Sequence, residues 1–165
     1  RARGRAAHTG TTVMTASRFR RLINWYAPYL GAGVRVSHVA DDFRHVRVEM
    51  PLRWYNRNYV GTHFGGSLYS MVDPFHMLMA IHALGRDYVV WDRSSSIEFV
   101  SPGRGTVSAE IHLSDADVAA MRDATADGRK YHPRFDIEIV DEQGTIVARV
   151  HKELHVRRAR NASAA

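Results

Sequence analysis

Residues 64–84 are the segment that most constrains the fold, because apolar side chains recur on nearly every face of the helix they would form. A helix that is apolar all round has to be buried, and at 1.5 Å per residue this one would be about 30 Å long. Pro74 lies inside the run, and its missing N–H predicts a kink there. Gly85 follows the run and predicts the end of the helix. The fold must therefore be built around one long buried helix.

The rest of the chain mostly alternates between apolar and polar residues, which is typical of strands with one covered face. Runs of this kind occur at 34–40, 46–50, 88–91, 97–100, 107–113, 135–139 and 146–156. Residues 16–30 have apolar side chains at helical spacing and predict an amphipathic helix, and 115–127 predict a short helix or a loop. Strands with one buried and one exposed face, joined by short connections, favour an antiparallel sheet. We therefore expect an α+β fold in which the sheet wraps around the central helix.

A chain of 165 residues is long enough for one domain with a core. We predict an N-terminal extension at 1–14, the folded domain at 15–158 and a tail at 159–165. The absence of cysteine excludes disulfides, cysteine nucleophiles and thiolate metal sites. Since no apolar run is long enough to span a membrane, we expect a cytoplasmic protein without a membrane partner.

The formal net charge of +6 is concentrated at the two ends of the chain. Residues 1–21 contain six arginines and no acid, and 157–160 contain three more arginines, which leaves 14 basic against 17 acidic residues in 22–156. The body of the chain is therefore mildly acidic. No basic and aromatic recognition module accompanies the terminal arginines, so we expect no nucleic-acid partner.

Gly65, Gly66 and Asp73 are the residues that best suit a catalytic site. Glycines at a helix start leave backbone N–H groups accessible at the positive end of the helix dipole, where an oxyanion gains about 3–4 kcal/mol per donor. Asp73 follows Gly66 by almost two helical turns, and a carboxylate there can act as a general base or nucleophile. Two structural alternatives remain: the glycines permit close helix–sheet packing, and Asp73 caps a helical segment restarting at Pro74.

This motif resembles that of the bacterial phenylacetyl-CoA thioesterases of hotdog fold, in which His-Gly-Gly is followed by six residues and then Asp. Here Phe64 separates His63 from the glycines, and Pro74 replaces a small polar residue. Residues 61–68, with 73–75, 85–88 and 90–92, resemble more closely an uncharacterised hotdog branch, the domain of unknown function 4442.

The resemblance implies a hotdog fold, hydrolysis of an acyl-CoA thioester, and coenzyme A as part of the substrate with no other cofactor. It also implies a homodimer or homotetramer, in which Asp73 works opposite the glycines of a partner subunit. The rival hypothesis is a non-catalytic module that binds acyl ligands. A hotdog dehydratase is disfavoured, because no matching Asp–His pair is found in a loop before a short helix. The acyl group and the carrier of the thiol are left open.

Further side chains are candidates for substrate binding, each with a plainer alternative. Asn58 could orient water or substrate, or it could form an ordinary turn. His63 could take part in the site, or it could form hydrogen bonds within its loop. In this fold the serines 94–96 would contact acyl or pantetheine groups, or remain surface hydroxyls. The complete set of binding candidates is Asn58, His63, Ser67, Arg93, Ser94, Ser95, Ser96 and Arg104.

Charged residues at two further places were weighed for ligand binding. Arg93 and Arg104 are suited to pair with coenzyme A phosphates, although solvated arginines are more common. His151, Glu153 and His155 share one face of the last strand at a spacing usable for a metal. Without a fourth ligand in view, we predict no metal site there.

Overall fold

The computed structural model describes residues 14–159. Within them, five helices are formed by Ala16–Ile23 (α1), Ala27–Ala32 (α2), Gly65–Val72 (α3), Phe75–Leu84 (α4) and Asp115–Ala124 (α5). Six strands are formed by Arg35–Val39 (β1), His45–Pro51 (β2), Tyr88–Phe99 (β3), Thr106–His112 (β4), Arg134–Asp141 (β5) and Ile146–Arg158 (β6). The predicted extension at 1–14, apart from Met14, and the tail from 160 onward lie outside the described residues.

The strands form one antiparallel sheet in the order β1-β2-β4-β5-β6-β3. Side chains that alternate along β2, β4, β5 and β6 are buried in one core together with those of α3 and α4. This α+β architecture, with a helical segment against one face of an antiparallel sheet, is consistent with the expected hotdog arrangement. None of the helices described in 14–159 is long and apolar enough to cross a membrane.

The central helix is interrupted at Asp73 and Pro74, as the proline predicted. Both residues keep right-handed helical backbone angles, but the missing N–H of Pro74 separates α3 from α4. Met71, Val72 and Phe75 on either side of the break are fully buried. Burial of each such side chain contributes about 1.5–3 kcal/mol, so the two helices anchor the interrupted turn firmly.

The prediction of a single amphipathic helix over 16–30 was wrong. The Asn24 side chain ends α1, because it accepts a hydrogen bond from the Val36 N–H (2.8 Å) and donates one to the Val36 carbonyl (3.0 Å). Pro28 lies in the first turn of α2 and begins a separate helix. Leu22 and Leu30, which were expected on the apolar face, are about half exposed.

Strand β3 joins the two short apolar runs predicted on either side of the serines into one strand of 12 residues. It pairs with β6 along one side and lies at the edge of the sheet. Its other edge has no strand partner among residues 14–159. Such a long edge presents a row of backbone donors and acceptors that a further strand can use.

His76 makes stability depend on pH. Its Nε2 donates to the His112 carbonyl (3.2 Å), its ring stacks on Phe135, and burial lowers its pKa to about 4. The unfolded chain takes up a proton near pH 6.5 and the folded chain only near pH 4. The free energy of unfolding therefore keeps its full value above pH 6.5. It falls by up to about 3 kcal/mol as the pH drops toward 4.

We expect His76→Gln to remove this part of the pH dependence. The measurement is the urea-unfolding free energy of wild type and variant at pH 7.5 and pH 4.5. Equal losses of stability in the two proteins would show that His76 is not the group responsible.

Candidate active site

Gly65 and Gly66 occupy the first turn of α3, as predicted. The preceding carbonyl of Phe64 accepts hydrogen bonds from the N–H groups of Ser67 (2.9 Å) and Leu68 (3.1 Å). Neither glycine N–H has an acceptor among residues 14–159. The helix start therefore offers two free donors of the kind that stabilise an oxyanion.

Two aromatic rings lie directly over the glycines. A Cβ atom at Gly65 would come within 2.6 Å of the Phe99 ring, and one at Gly66 within 2.5 Å of the Phe64 ring. A side chain at either position would have to displace the ring above it, so the glycines permit the observed close packing, in line with the structural interpretation. Both rings are more than half exposed, so they border the site from its solvent side and do not belong to the core. The two roles of the glycines are compatible.

An open groove of about 510 Å³ lies beside Gly65. It is formed by the loop before α3 and the segment after β3, and it includes Asn58, His63, Leu68 and Arg104. Its size falls within the range of small-molecule sites. Arg104 is exposed and has no ion-pair partner in the described part of the chain, so it remains available to an anionic ligand.

Asn58 organises its loop, in agreement with the turn alternative. Its Oδ1 accepts from the N–H groups of Val60 (3.1 Å) and Thr62 (3.0 Å), and its Nδ2 donates to Thr62 Oγ1 (2.9 Å) and the His63 carbonyl (3.2 Å). All its donors and acceptors are thus engaged, and none is left for water or substrate.

His63 is buried at the wall of the groove. Its Nε2 donates to the Gly105 carbonyl (3.1 Å), while its Nδ1 has no partner within 14–159. Burial lowers its pKa, so the ring is neutral at pH 7. His63 therefore forms the hydrogen bond expected of a loop residue, and its Nδ1 remains an acceptor without a partner among the described residues.

Asp73 ends α3 with its side chain 45% exposed. Its Oδ1 accepts hydrogen bonds from the Tyr69 hydroxyl (2.7 Å) and from Lys152 Nζ (3.2 Å). Burial, together with the Asp73 charge, raises the pKa of Tyr69 to about 12, so its hydroxyl stays protonated as a donor. The Asp73 side chain does not cap α4, whose first turn has no side-chain cap, so the capping alternative was wrong. One carboxylate oxygen is fixed, and the other has no partner among the described residues.

Lys152 was not among the predicted site residues, yet it contacts Asp73 most extensively. Its side chain is completely buried, and Nζ lies 3.0 Å from Asp92 Oδ1 and also bonds to the Asp73 backbone carbonyl. A buried ammonium costs several kcal/mol unless opposite charges surround it. The sequence contained one signal of this role, because Lys152 interrupts the apolar side chains that alternate along β6.

The remaining predicted residues do not gather at the Gly65 groove. Ser94, Ser95 and Ser96 are exposed on β3 and border a separate groove of about 500 Å³. The Arg93 guanidinium pairs with Glu153, a carboxylate that it shares with Arg134. The remaining candidate, Ser67, is buried in α3.

The glycines and Asp73 of one protomer cannot act on the same carbonyl. Gly65 and Asp73 are eight residues apart, which corresponds to about 12 Å along the helix axis. An oxyanion donor acts at about 3 Å, and a general base acts within one hydrogen bond or through one water. The glycine N–H groups and the Asp73 carboxylate of one chain are therefore too far apart to act on one atom.

The three side chains weighed as metal ligands on β6 bond to different neighbours. His151 Nδ1 lies 2.6 Å from Asp136, Glu153 is held by two arginines, and His155 Nδ1 lies 3.2 Å from His132. They do not converge on a common point.

A second group with metal-ligating side chains lies on exposed parts of β2 and β4. Ligand atoms of His45, Glu110 and His112 all lie within 4.8 Å of one another. The Glu110 carboxylate is already bound by Arg47 (2.6 Å) and His45 (2.5 Å), which also lower its pKa. A metal would have to displace both of these contacts.

The fold defines a class of small α+β proteins with a helical segment against one face of an antiparallel sheet, and solved structures share this fold. A Pseudomonas aeruginosa protein, described as a probable thioesterase, has a TM-score of 0.75 at 19% identity, covering 85% of this chain and 93% of that one. A Haemophilus influenzae thioesterase has a TM-score of 0.64 at 15% identity, with 92% and 96% covered. A Chlorobaculum tepidum protein of unknown function has a TM-score of 0.68 at 13% identity, with 88% and 98% covered. At these identities the likeness shows the fold.

The chain belongs to the family called domain of unknown function DUF4442, whose model matches residues 15–156. This confirms the family resemblance that residues 61–68, 73–75, 85–88 and 90–92 indicated. No curated protein matches the sequence.

Proposed function

We propose that this protein is a hotdog thioesterase that hydrolyses an acyl-CoA type of thioester. The observation that carries the proposal is the Asp73 carboxylate, which has one oxygen held by Tyr69 and Lys152 and the other without a partner among residues 14–159. Several solved structures of the same fold come from proteins described as thioesterases. The free donors of Gly65 and Gly66 supply the complementary half of the chemistry.

In the proposed reaction, water attacks the thioester carbonyl while the free Asp73 oxygen takes its proton. The glycine N–H groups stabilise the oxyanion of the tetrahedral intermediate. Collapse of the intermediate breaks the C–S bond, and the thiolate leaves with the proton held by Asp73, giving a carboxylic acid and a thiol. The alternative course is attack by the same Asp73 oxygen, followed by hydrolysis of the resulting anhydride.

We propose that a second copy completes the site. The separation of Gly65 from Asp73, about 12 Å along the helix axis, supports a site in which the two act from different protomers, and the edge of β3 without a strand partner among residues 14–159 offers a surface for pairing. The expected mass in solution is about 37 kDa, twice the 18.7 kDa of the chain, or a further doubling for a tetramer. Light scattering that gave a single chain at assay concentration would contradict the shared site.

The function is tested by incubating the purified chain with a panel of short, long and aryl acyl-CoA thioesters and following thiol release with a chromogenic disulfide. We expect turnover of at least one member of the panel. The rival function is a non-catalytic module that keeps the fold and binds an acyl ligand without hydrolysing it. Tight binding of an acyl-CoA, seen by calorimetry without thiol release, would establish that rival.

A further inference from the structure

A second groove, of about 690 Å³, lies where the start of β3 meets the end of β6. We call it the Trp91 groove. It combines two aromatic side chains with three cations contributed by β6 and by the segment before β5. These residues are Trp91, His155, Lys130, Arg157 and Arg158.

Trp91 and His155 form a flat platform in this groove. Their rings are stacked with centroids 4.1 Å apart and planes at 3°. His155 is only 6% exposed and is held at Nδ1 by His132, while its Nε2 has no partner within residues 14–159. Trp91 is 45% exposed although one face is covered by His155, so much of the opposite face is open. An open indole face is a stacking surface for a planar ring.

The charges around this platform are unbalanced. Lys130, Arg157 and Arg158 have no ion-pair partner in the part of the chain that the structure describes. The carboxylate in the lining, Asp127, is bound by Arg129 at 2.6 Å. Unpaired arginines and a lysine around one concave surface favour an anion, and guanidinium groups match phosphate geometry especially well.

We propose that the Trp91 groove binds the phosphorylated nucleotide end of the substrate, with its base on Trp91 and its phosphates held by Lys130, Arg157 and Arg158. The assignment rests on the proposed function and names the carrier of the thioester as a nucleotide such as coenzyme A. A stacked aromatic face beside unpaired cations suits a ligand that is both planar and multiply anionic. An acidic peptide requires only the cations.

The Trp91 groove and Gly65 lie at opposite ends of β3. Trp91 lies near the start of β3, and Phe99, which covers Gly65, is its last residue. When two copies pair antiparallel along β3, the start of one strand meets the end of the other. Trp91 and His155 project from the face of the sheet opposite Leu154 and Val156, which pack in the core, so an extended substrate would have to pass from this outer face around the sheet to reach Gly65 of the second copy.

The first test is calorimetry with adenosine 3′,5′-bisphosphate, adenosine, inorganic phosphate and an acidic peptide. We expect the bisphosphate to bind at least tenfold more tightly than any of the others. Arg157→Gln with Arg158→Gln, and separately Trp91→Ala, should each weaken it at least tenfold. The matched controls are Arg18→Gln and Trp54→Ala, exposed residues outside the groove, which should leave the affinity unchanged. Unchanged affinity in the groove variants, or equal affinity for the peptide, would overturn the assignment.

The second test separates this inference from the function itself. The same acyl group is offered on coenzyme A and on pantetheine, which lacks the nucleotide. We expect the groove variants to raise KM for the acyl-CoA at least tenfold, with kcat and the kinetics on acyl-pantetheine unchanged. Equal KM values for the two substrates in wild type would overturn the nucleotide site and leave the thioesterase proposal standing. Bisphosphate binding without any thioester hydrolysis would support the groove and contradict the thioesterase.

Discussion

Replacing Asp73 with asparagine is expected to lower kcat for thioester hydrolysis by a factor of about 10² to 10⁴, the usual contribution of a positioned general base. Asparagine has nearly the same shape and keeps an oxygen to accept from Tyr69 and Lys152, but its amide can neither take a proton from water nor attack the carbonyl. The same loss is expected if Asp73 is the nucleophile. The measurement is kcat at saturating substrate, with KM determined in parallel.

The matched control for this substitution is Asp136→Asn. Asp136 is an exposed carboxylate on β5 that contacts His151, so it tests the removal of one negative charge away from the glycines. We expect its kcat to stay within twofold of wild type. If Asp73→Asn also retained a kcat within twofold of wild type, Asp73 would have no part in the chemistry, and the ion pair with Lys152 would be structural alone.

Replacing Lys152 with methionine is expected to lower the free energy of unfolding by about 2–3 kcal/mol, less than the cost of a fully buried unpaired charge, because the Asp73 and Asp92 side chains are 45% and 29% exposed to solvent. Methionine fills most of the space left by the lysine stem, so the loss comes from the charge. Without the ammonium, the carboxylates of Asp73 and Asp92 face each other near the core with no counter-charge. Urea unfolding at pH 7.5 measures the effect.

The chain contains one other lysine, Lys130, which is exposed and provides the matched control. Lys130→Met should change stability by no more than about 0.5 kcal/mol. Adding Asp92→Asn to Lys152→Met should recover part of the lost stability, because it removes one of the two uncompensated charges. A loss below 1 kcal/mol for Lys152→Met would mean that the buried ammonium is not needed to balance the two carboxylates.

Local patterns predicted most of the elements of this fold. The all-round apolar run over 64–84, broken by Pro74, indicated the buried helix and its interruption, because these properties depend on residues within one or two turns. Alternation indicated the strands in the same way. The division of 16–30 into α1 and α2 could not be read locally, since it depends on the contact of Asn24 with Val36 in the next element.

The candidate site was predicted in part. The positions of Gly65, Gly66 and Asp73 at the start and end of α3 follow from helix geometry. Asn58 and Arg93 were assigned roles that other contacts now take up, the first in its loop and the second with Glu153. Spacing along the chain does not reveal which neighbour already satisfies a polar group.

The sequence by itself determined the buried helix, the alternating strands, and the glycines and aspartate on that helix, because each depends on near neighbours in the chain. Only the tertiary structure placed Lys152 beside Asp73, 79 residues away, and Trp91 beside Arg157 and His155. Both groupings arise from the pairing of β6 with β3 and its packing against the central helix. Contacts of this kind depend on the order and register of the strands in the sheet. The spacing of apolar residues along the chain does not specify either of them.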